Sequence, residues 1–129
     1  MQVSVIVLAA GQGTRMNSDL PKVLHQVAAA PLLHHALTTA HSLEPSRIVT
    51  VTGHGGEAVA AAATAFSEAA ETVVQDPQLG TAHAVAQAAP LLADEPGEAI
   101  VLYADTPLIR EDTLRAMLDA RAKHAVVIL

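Results

Sequence analysis

Two cations, one glutamine and one carboxylate stand where this sequence could do chemistry. Arg15 lies in the segment Leu8-Ala9-Ala10-Gly11-Gln12-Gly13-Thr14-Arg15-Met16, and Lys22 follows Pro21. Glycines at 11 and 13 let backbone N–H groups approach an anion with no Cβ in the way. Arg15 offers a rigid fork of donors for phosphate oxygens, and Lys22 a compact positive charge. The segment follows directly on an apolar run, and open α/β sheets bind ligands beyond the carboxyl ends of their strands. This points to a loop that holds phosphate. A tight strand-to-helix turn carrying two surface cations satisfies the same spacing. Met16 stands where the dinucleotide fingerprint needs a third glycine, and the glycine-lysine run of a P-loop is absent.

The second setting is Gln75-Asp76-Pro77-Gln78-Leu79-Gly80-Thr81-Ala82-His83-Ala84. The Gln75 amide has one acceptor and two donors, which suits the edge of a uracil. Gly80 permits close backbone approach, and Thr81 sits near an expected helix N-terminus. A polar turn capped by Thr81 reads the same residues equally well. The third is Leu102-Tyr103-Ala104-Asp105-Thr106-Pro107-Leu108-Ile109. A carboxylate at a strand's end, facing a polyphosphate, is a natural Mg²⁺ ligand, because Mg²⁺ takes one or two carboxylates plus phosphate oxygens and water. Asp105 would also serve as a turn residue ahead of Pro107. Other polar clusters carry less. His34 and His41 share a helical face two turns apart, too far to hold one metal easily, and with His35 they fall short of zinc spacing. Gly53-His54-Gly55-Gly56 reads as a strand-to-helix turn, with a second phosphate loop as the alternative. No nucleophile-base-acid arrangement stands out.

The elements that must position these residues alternate along the chain. Continuous apolar runs rich in β-branched residues predict strands at Val3–Ala10, Ile48–Thr52, Thr72–Gln75 and Ala99–Tyr103. Helical spacing predicts helices over Leu32–Leu43, Ala58–Phe66, Thr81–Leu92 and Asp112–Lys123, the last with Asp112 as its N-cap. Val126–Leu129 reads as the start of a fifth strand. Residues 11–21 read as a loop. Strands alternating with helices imply βαβ crossovers and a mostly parallel sheet with helices on both faces. A domain ending on an apolar strand is expected to be incomplete.

Composition bounds the rest. The 129 residues form one unit, 1–129, and 51% hydrophobic residues suffice for a core, although only 2% are aromatic. The net charge is −6 with no basic run, which argues against a nucleic-acid footprint but not against a single nucleotide. There is no cysteine, hence no disulfide or thiolate chemistry. The N-terminal apolar run has no basic segment before it and is too short to span a bilayer, so a soluble, cytoplasmic protein with no membrane partner is expected.

The run LAAGQGTRM followed by Pro21-Lys22 resembles the signature of the sugar-nucleotide pyrophosphorylases. Pro21-Lys22-Val23-Leu24-His25 and the Gln75–Ala84 segment are similar to the hexosamine uridylyltransferase branch of that family. Leu102–Ile109 resembles its metal-binding strand end. The resemblance implies a Rossmann-like three-layer nucleotide-diphospho-sugar transferase fold and covers the first half of the family's catalytic domain. It implies that Leu8, Ala9, Ala10, Gly11, Gly13, Thr14, Arg15, Lys22, Gln75, Gly80, Thr81 and Tyr103 bind nucleotide. Arg15 and Lys22 would act in catalysis, and Asp105 would bind Mg²⁺. The implied partners are UTP and a sugar 1-phosphate, the implied products UDP-N-acetylglucosamine and pyrophosphate, and the implied assembly of the longer parent a homo-oligomer. Three departures stand out: Ala28-Ala29-Ala30 where the family more often has a glycine and a basic residue, and Ala82 and Ala104 where it usually has glycine. Another nucleotidyltransferase, guanylyl or cytidylyl, or a non-catalytic nucleotide-binding module are the alternatives.

Overall fold

The computed structural model describes residues 2–11, 19–53 and 55–129. Its centre is β1 (Val3–Ala9), and the reason is compositional: nearly every side chain of VSVIVLA is buried. A strand buried on both faces needs a layer on each, and its backbone groups need partners along its edges. β1 pairs in parallel with β4 (Arg47–Gly53) on one side and β6 (Glu98–Tyr103) on the other. β5 (Glu71–Gln75) adds to the far edge of β4, so the parallel sheet runs β5-β4-β1-β6.

Alternation along β1 sorts the core into two layers. Val3, Val5, Val7 and Ala9 face α1 (Leu32–Ser42), α2 (Glu57–Phe66) and α4 (Glu111–Arg121), where Leu33, Leu37, Ala63 and Leu114 are buried. Ile6 and Ala10, with Val49 and Val51 of β4, face α3 (Thr81–Leu92) through Ala84 and Ala88. The helix-sheet-helix sandwich expected from the alternation is therefore observed. His34 and His41 both pack against the Phe66 ring, with centroids at 5.4 and 5.3 Å, so both serve the α1–α2 contact.

Three expectations change. Val126–Leu129 forms no strand; Val126, Ile128 and Leu129 are 73%, 87% and 72% exposed. Apolar β-branched sequence favours an extended chain, but a strand also needs a partner's ladder, and no described strand pairs with this segment. Asp112 is not the cap of α4. Arg110 holds that position, and Asp112 lies inside the first turn, where its carboxylate accepts from Thr113 N and Arg110 Nη2, each at 2.9 Å. Glu111 and Asp112 together place negative charge at the helix N-terminus, which the macrodipole favours. Residues 22–31, which periodicity left unassigned, form a 3₁₀ turn (Lys22–Leu24) and a small hairpin, β2 (Gln26–Val27) with β3 (Ala30–Pro31).

Candidate nucleotide site

The sheet order makes a crevice. From β1 the chain proceeds outward through β4 to β5, then returns to lay β6 on β1's other edge. The strand order thus reverses between β1 and β6, and ligands of open α/β sheets bind beyond the carboxyl ends of the strands at such a point. A cleft of about 250 Å³ opens there.

Each side chain of the cleft is set by a local device. Val23, 4% exposed, anchors the 3₁₀ turn in the core, and His25 N donates to Lys22 O at 3.1 Å. Lys22 is thereby presented toward the strand ends. Beyond β6, Ala104 N donates to Leu8 O at 3.0 Å and carries the ladder one residue further. Asp105 then lies beside the end of β1, and Lys22 Nζ is 2.9 Å from its Oδ2. Ala104 itself is fully buried in the core, so the methyl group that replaces the family's usual glycine is accommodated there. Gly80 has φ +102°, a conformation that favours glycine, and its carbonyl accepts from Ala84 N at 3.0 Å to open α3. The first N–H groups of α3 lack intrahelical acceptors and face an anion favourably.

Leu8, Ala9, Ala10, Gly11, Lys22, Gln75, Gly80, Thr81, Tyr103 and Asp105 all line this one cleft. They come from four separate stretches of chain. Gly13, Thr14 and Arg15 lie outside the described residues, as does His54. Thr81 is the first residue of α3, with Gly80 as its cap, so the alternative of a Thr81 cap does not hold. Gln75 is 3% exposed, and its Nε2 lies 3.0 Å from both Gly80 O and His83 Nδ1.

Val23, Gln78 and Ala84 complete the lining. Gln78 is the residue that spacing did not single out. Its Nε2 donates to Ala10 O across 68 positions of sequence, tying the β5–α3 connection to the end of β1. Gly53 leaves room for this. A Cβ there would stand 2.6 Å from Ala10 O and 2.7 Å from Gln78 Nε2. The visible signal was a glycine closing an apolar strand, whose meaning depends on what crosses it.

Asp105 is the carboxylate of the cleft, and no group of three metal-ligating side chains occurs among the described residues. One carboxylate suits Mg²⁺ completed by phosphate oxygens and water, and does not suit a closed zinc site. A larger groove of about 610 Å³ lies between β6, α4 and residues 125–129. It is mainly apolar, and its charged residues Arg121 and Glu98 pair with each other at 3.0 Å. The convergent polar groups are in the smaller cleft. No helix among the described residues is long and apolar enough to cross a membrane.

The profile of the family described as "MobA-like NTP transferase domain" matches residues 5–129. Over 127 residues the chain is 73% identical to the bifunctional protein GlmU of Cereibacter sphaeroides, covering 98% of this chain and 28% of that protein. The likeness falls on the N-terminal part of that relative. Two solved structures share the fold. Rv0371c of Mycobacterium tuberculosis, in complex with manganese, aligns with a TM-score of 0.69 and 24% identity over 94% of this chain and 60% of that one. CMP:2-keto-3-deoxy-manno-octonic acid synthetase, complexed with CTP, aligns with a TM-score of 0.72 and 20% identity over 98% and 50%. At these identities the structures speak to the Rossmann-like architecture alone. The chain spans less than a third of the length of the curated relatives it matches.

Proposed function

The chain belongs to the MobA-like NTP transferase domain family, and from that premise we propose that it is the nucleotide-holding part of a uridylyltransferase. The reaction is transfer of a uridylyl group from UTP to N-acetylglucosamine 1-phosphate, giving UDP-N-acetylglucosamine and pyrophosphate. One observation carries this reading above the others. Ten residues expected to touch nucleotide or metal, scattered from Leu8 to Asp105, converge on one cleft at the switch point of the sheet.

Arg15 and Lys22 hold the triphosphate and offset the charge that builds on the departing pyrophosphate. The Gly11 backbone and the N-terminus of α3 contribute neutral donors. Gln75 and the Gly80 backbone meet the base. Asp105 holds Mg²⁺, which when bound withdraws charge from the phosphate oxygens. The attacking oxygen of the sugar phosphate is already ionised at neutral pH, so the protein supplies no general base. Its contribution is alignment of the two phosphates for in-line displacement and a preorganised set of donors. The match to a domain family described as an NTP transferase supports a nucleoside triphosphate as the ligand class.

The test uses calorimetry on the chain with UTP, CTP and GTP, with and without Mg²⁺, beside Asp105→Asn. UTP should bind best, and Mg²⁺ should strengthen it in the wild type and far less in Asp105→Asn. A preference for GTP, or a Mg²⁺ dependence that survives Asp105→Asn intact, would overturn the assignment.

A further inference from the structure

Behind the cleft's Gln75 a polar relay runs from β5 into α3. Gln75 is buried at the end of β5, and its side-chain amide stands 3.0 Å from Gly80 O and 3.0 Å from His83 Nδ1. A carbonyl oxygen only accepts, so the amide atom beside Gly80 O is nitrogen. That nitrogen has two hydrogens. One is directed at Gly80 O and the other at His83 Nδ1, which must therefore be the acceptor nitrogen of the ring. Gln87, one turn further along α3, donates from Nε2 to His83 O at 3.0 Å and lies 3.3 Å from His83 Nε2. A neutral imidazole has a single acceptor nitrogen. If the nearer amide takes it, the ring proton would reside on Nε2.

We propose that His83 is a positioning residue that turns the carbonyl oxygen of Gln75 toward the cleft, so that the site selects a base with an imide N–H over one with a bare ring nitrogen. The inference rests on the uridylyl reading and deepens it. The two orientations of a glutamine amide have the same shape, so packing cannot choose between them. The partners of its nitrogen choose. With Nε2 held by Gly80 O and His83 Nδ1, Oε1 is the atom left for the ligand. It accepts from the N3–H of uracil. Against the bare N3 of cytosine it sets acceptor against acceptor, and a buried acceptor without a donor is costly. The reversed amide would favour cytosine instead. His83 thus acts on base choice through Gln75.

The experiment measures calorimetric affinities of the chain for UTP and CTP in Mg²⁺ buffer, for wild type, His83→Leu and His83→Asn. The asparagine Oδ1 replaces Nδ1 as an acceptor at similar reach; leucine removes it. The UTP-over-CTP ratio should fall on the order of tenfold in His83→Leu and be kept in His83→Asn. In the wild type, ¹⁵N NMR should find the His83 proton on Nε2, a readout that needs no variant to fold. A ratio unchanged in His83→Leu, a loss in His83→Asn as large as in His83→Leu, or a ring proton on Nδ1 overturns the role of His83 and leaves the uridylyl reading standing. Equal wild-type affinity for UTP and CTP overturns that reading, and this inference with it.

Discussion

Lys22 and Asp105 meet at 2.9 Å where the phosphates and the metal are expected to lie. Their side chains are 40% and 34% exposed, so water screens the pair and its net worth is small. A weak pair is cheap to exchange. On the proposed function, Lys22 would turn to phosphate oxygens and Asp105 to the cation when ligands bind; without them, each neutralises the other. Lys22→Ala should therefore push two affinities in opposite directions. Mn²⁺ alone should bind a few-fold tighter, because its competitor for Asp105 is gone. UTP should bind about tenfold weaker through loss of a charge-assisted hydrogen bond. Mn²⁺ titration and UTP calorimetry on the same variant check this, and a fall in both affinities would show that Lys22 does not compete with the metal. Gln75 and Asp105 could be read from sequence because each is a polar residue set at the end of an apolar run, and Lys22 because it follows Pro21 just beyond the glycine loop. Gln78 and His83 could not. Their partners, Ala10 O and the Gln75 amide, come together only once α3 is laid on the sheet.

At the scale of elements, strands and helices were legible wherever apolar residues fell into one period for long enough. β1, β4, β6 and all four helices carry such runs. Residues 22–31 carry none, because two-residue strands bury too little to leave a pattern. Their hairpin was hidden further by its turn. Ala28 and Ala29, between β2 and β3, have φ of 52° and 64°. Positive φ at both central positions is the signature of the hairpin turn that Asn-Gly normally fills. Alanine pays a steric penalty there, since its Cβ crowds the backbone. Ala28→Asn with Ala29→Gly should relieve it and stabilise the protein by about 1 kcal/mol, less what the extra freedom of glycine in the unfolded chain takes back. A thermal melt should move up by about 2–4 °C. A lower melting temperature would mean that the alanine methyl groups make contacts worth more than the strain. Residues 126–129 teach the converse: apolarity predicts that a segment is extended, and pairing depends on a neighbour elsewhere in the fold.

The whole molecule bears on how much of the transfer these residues can perform. A two-substrate displacement must hold both phosphates in line, and alignment of this kind supplies on the order of 7–11 kcal/mol of the barrier in well-oriented cases. On the proposed function the described residues would supply a triphosphate side, a base side and one carboxylate, around a cleft of about 250 Å³, where binding sites for drug-sized ligands run from roughly 300 to 1,000 Å³. That is little room for a nucleoside triphosphate and a sugar phosphate side by side. Among the described residues the polar side chains that could orient a sugar are few: besides Asp105, those in the cleft are Lys22, Gln75, Gln78, Thr81 and Tyr103. Three of these, Lys22, Gln75 and Gln78, are already assigned to phosphate, base or the packing of the β5–α3 connection. Nucleotide binding and sugar-phosphate alignment should therefore separate. Residues 1–129 should bind UTP weakly in calorimetry and release no measurable pyrophosphate when N-acetylglucosamine 1-phosphate and Mg²⁺ are added. Under the same conditions the full-length GlmU relative that shares 73% identity should turn over. Steady pyrophosphate release by the 129-residue chain, abolished by Asp105→Asn, would show that the sugar phosphate is aligned by residues already present. The apolar groove beside β6, with Tyr103 at its junction with the cleft, would then be the place to look for them.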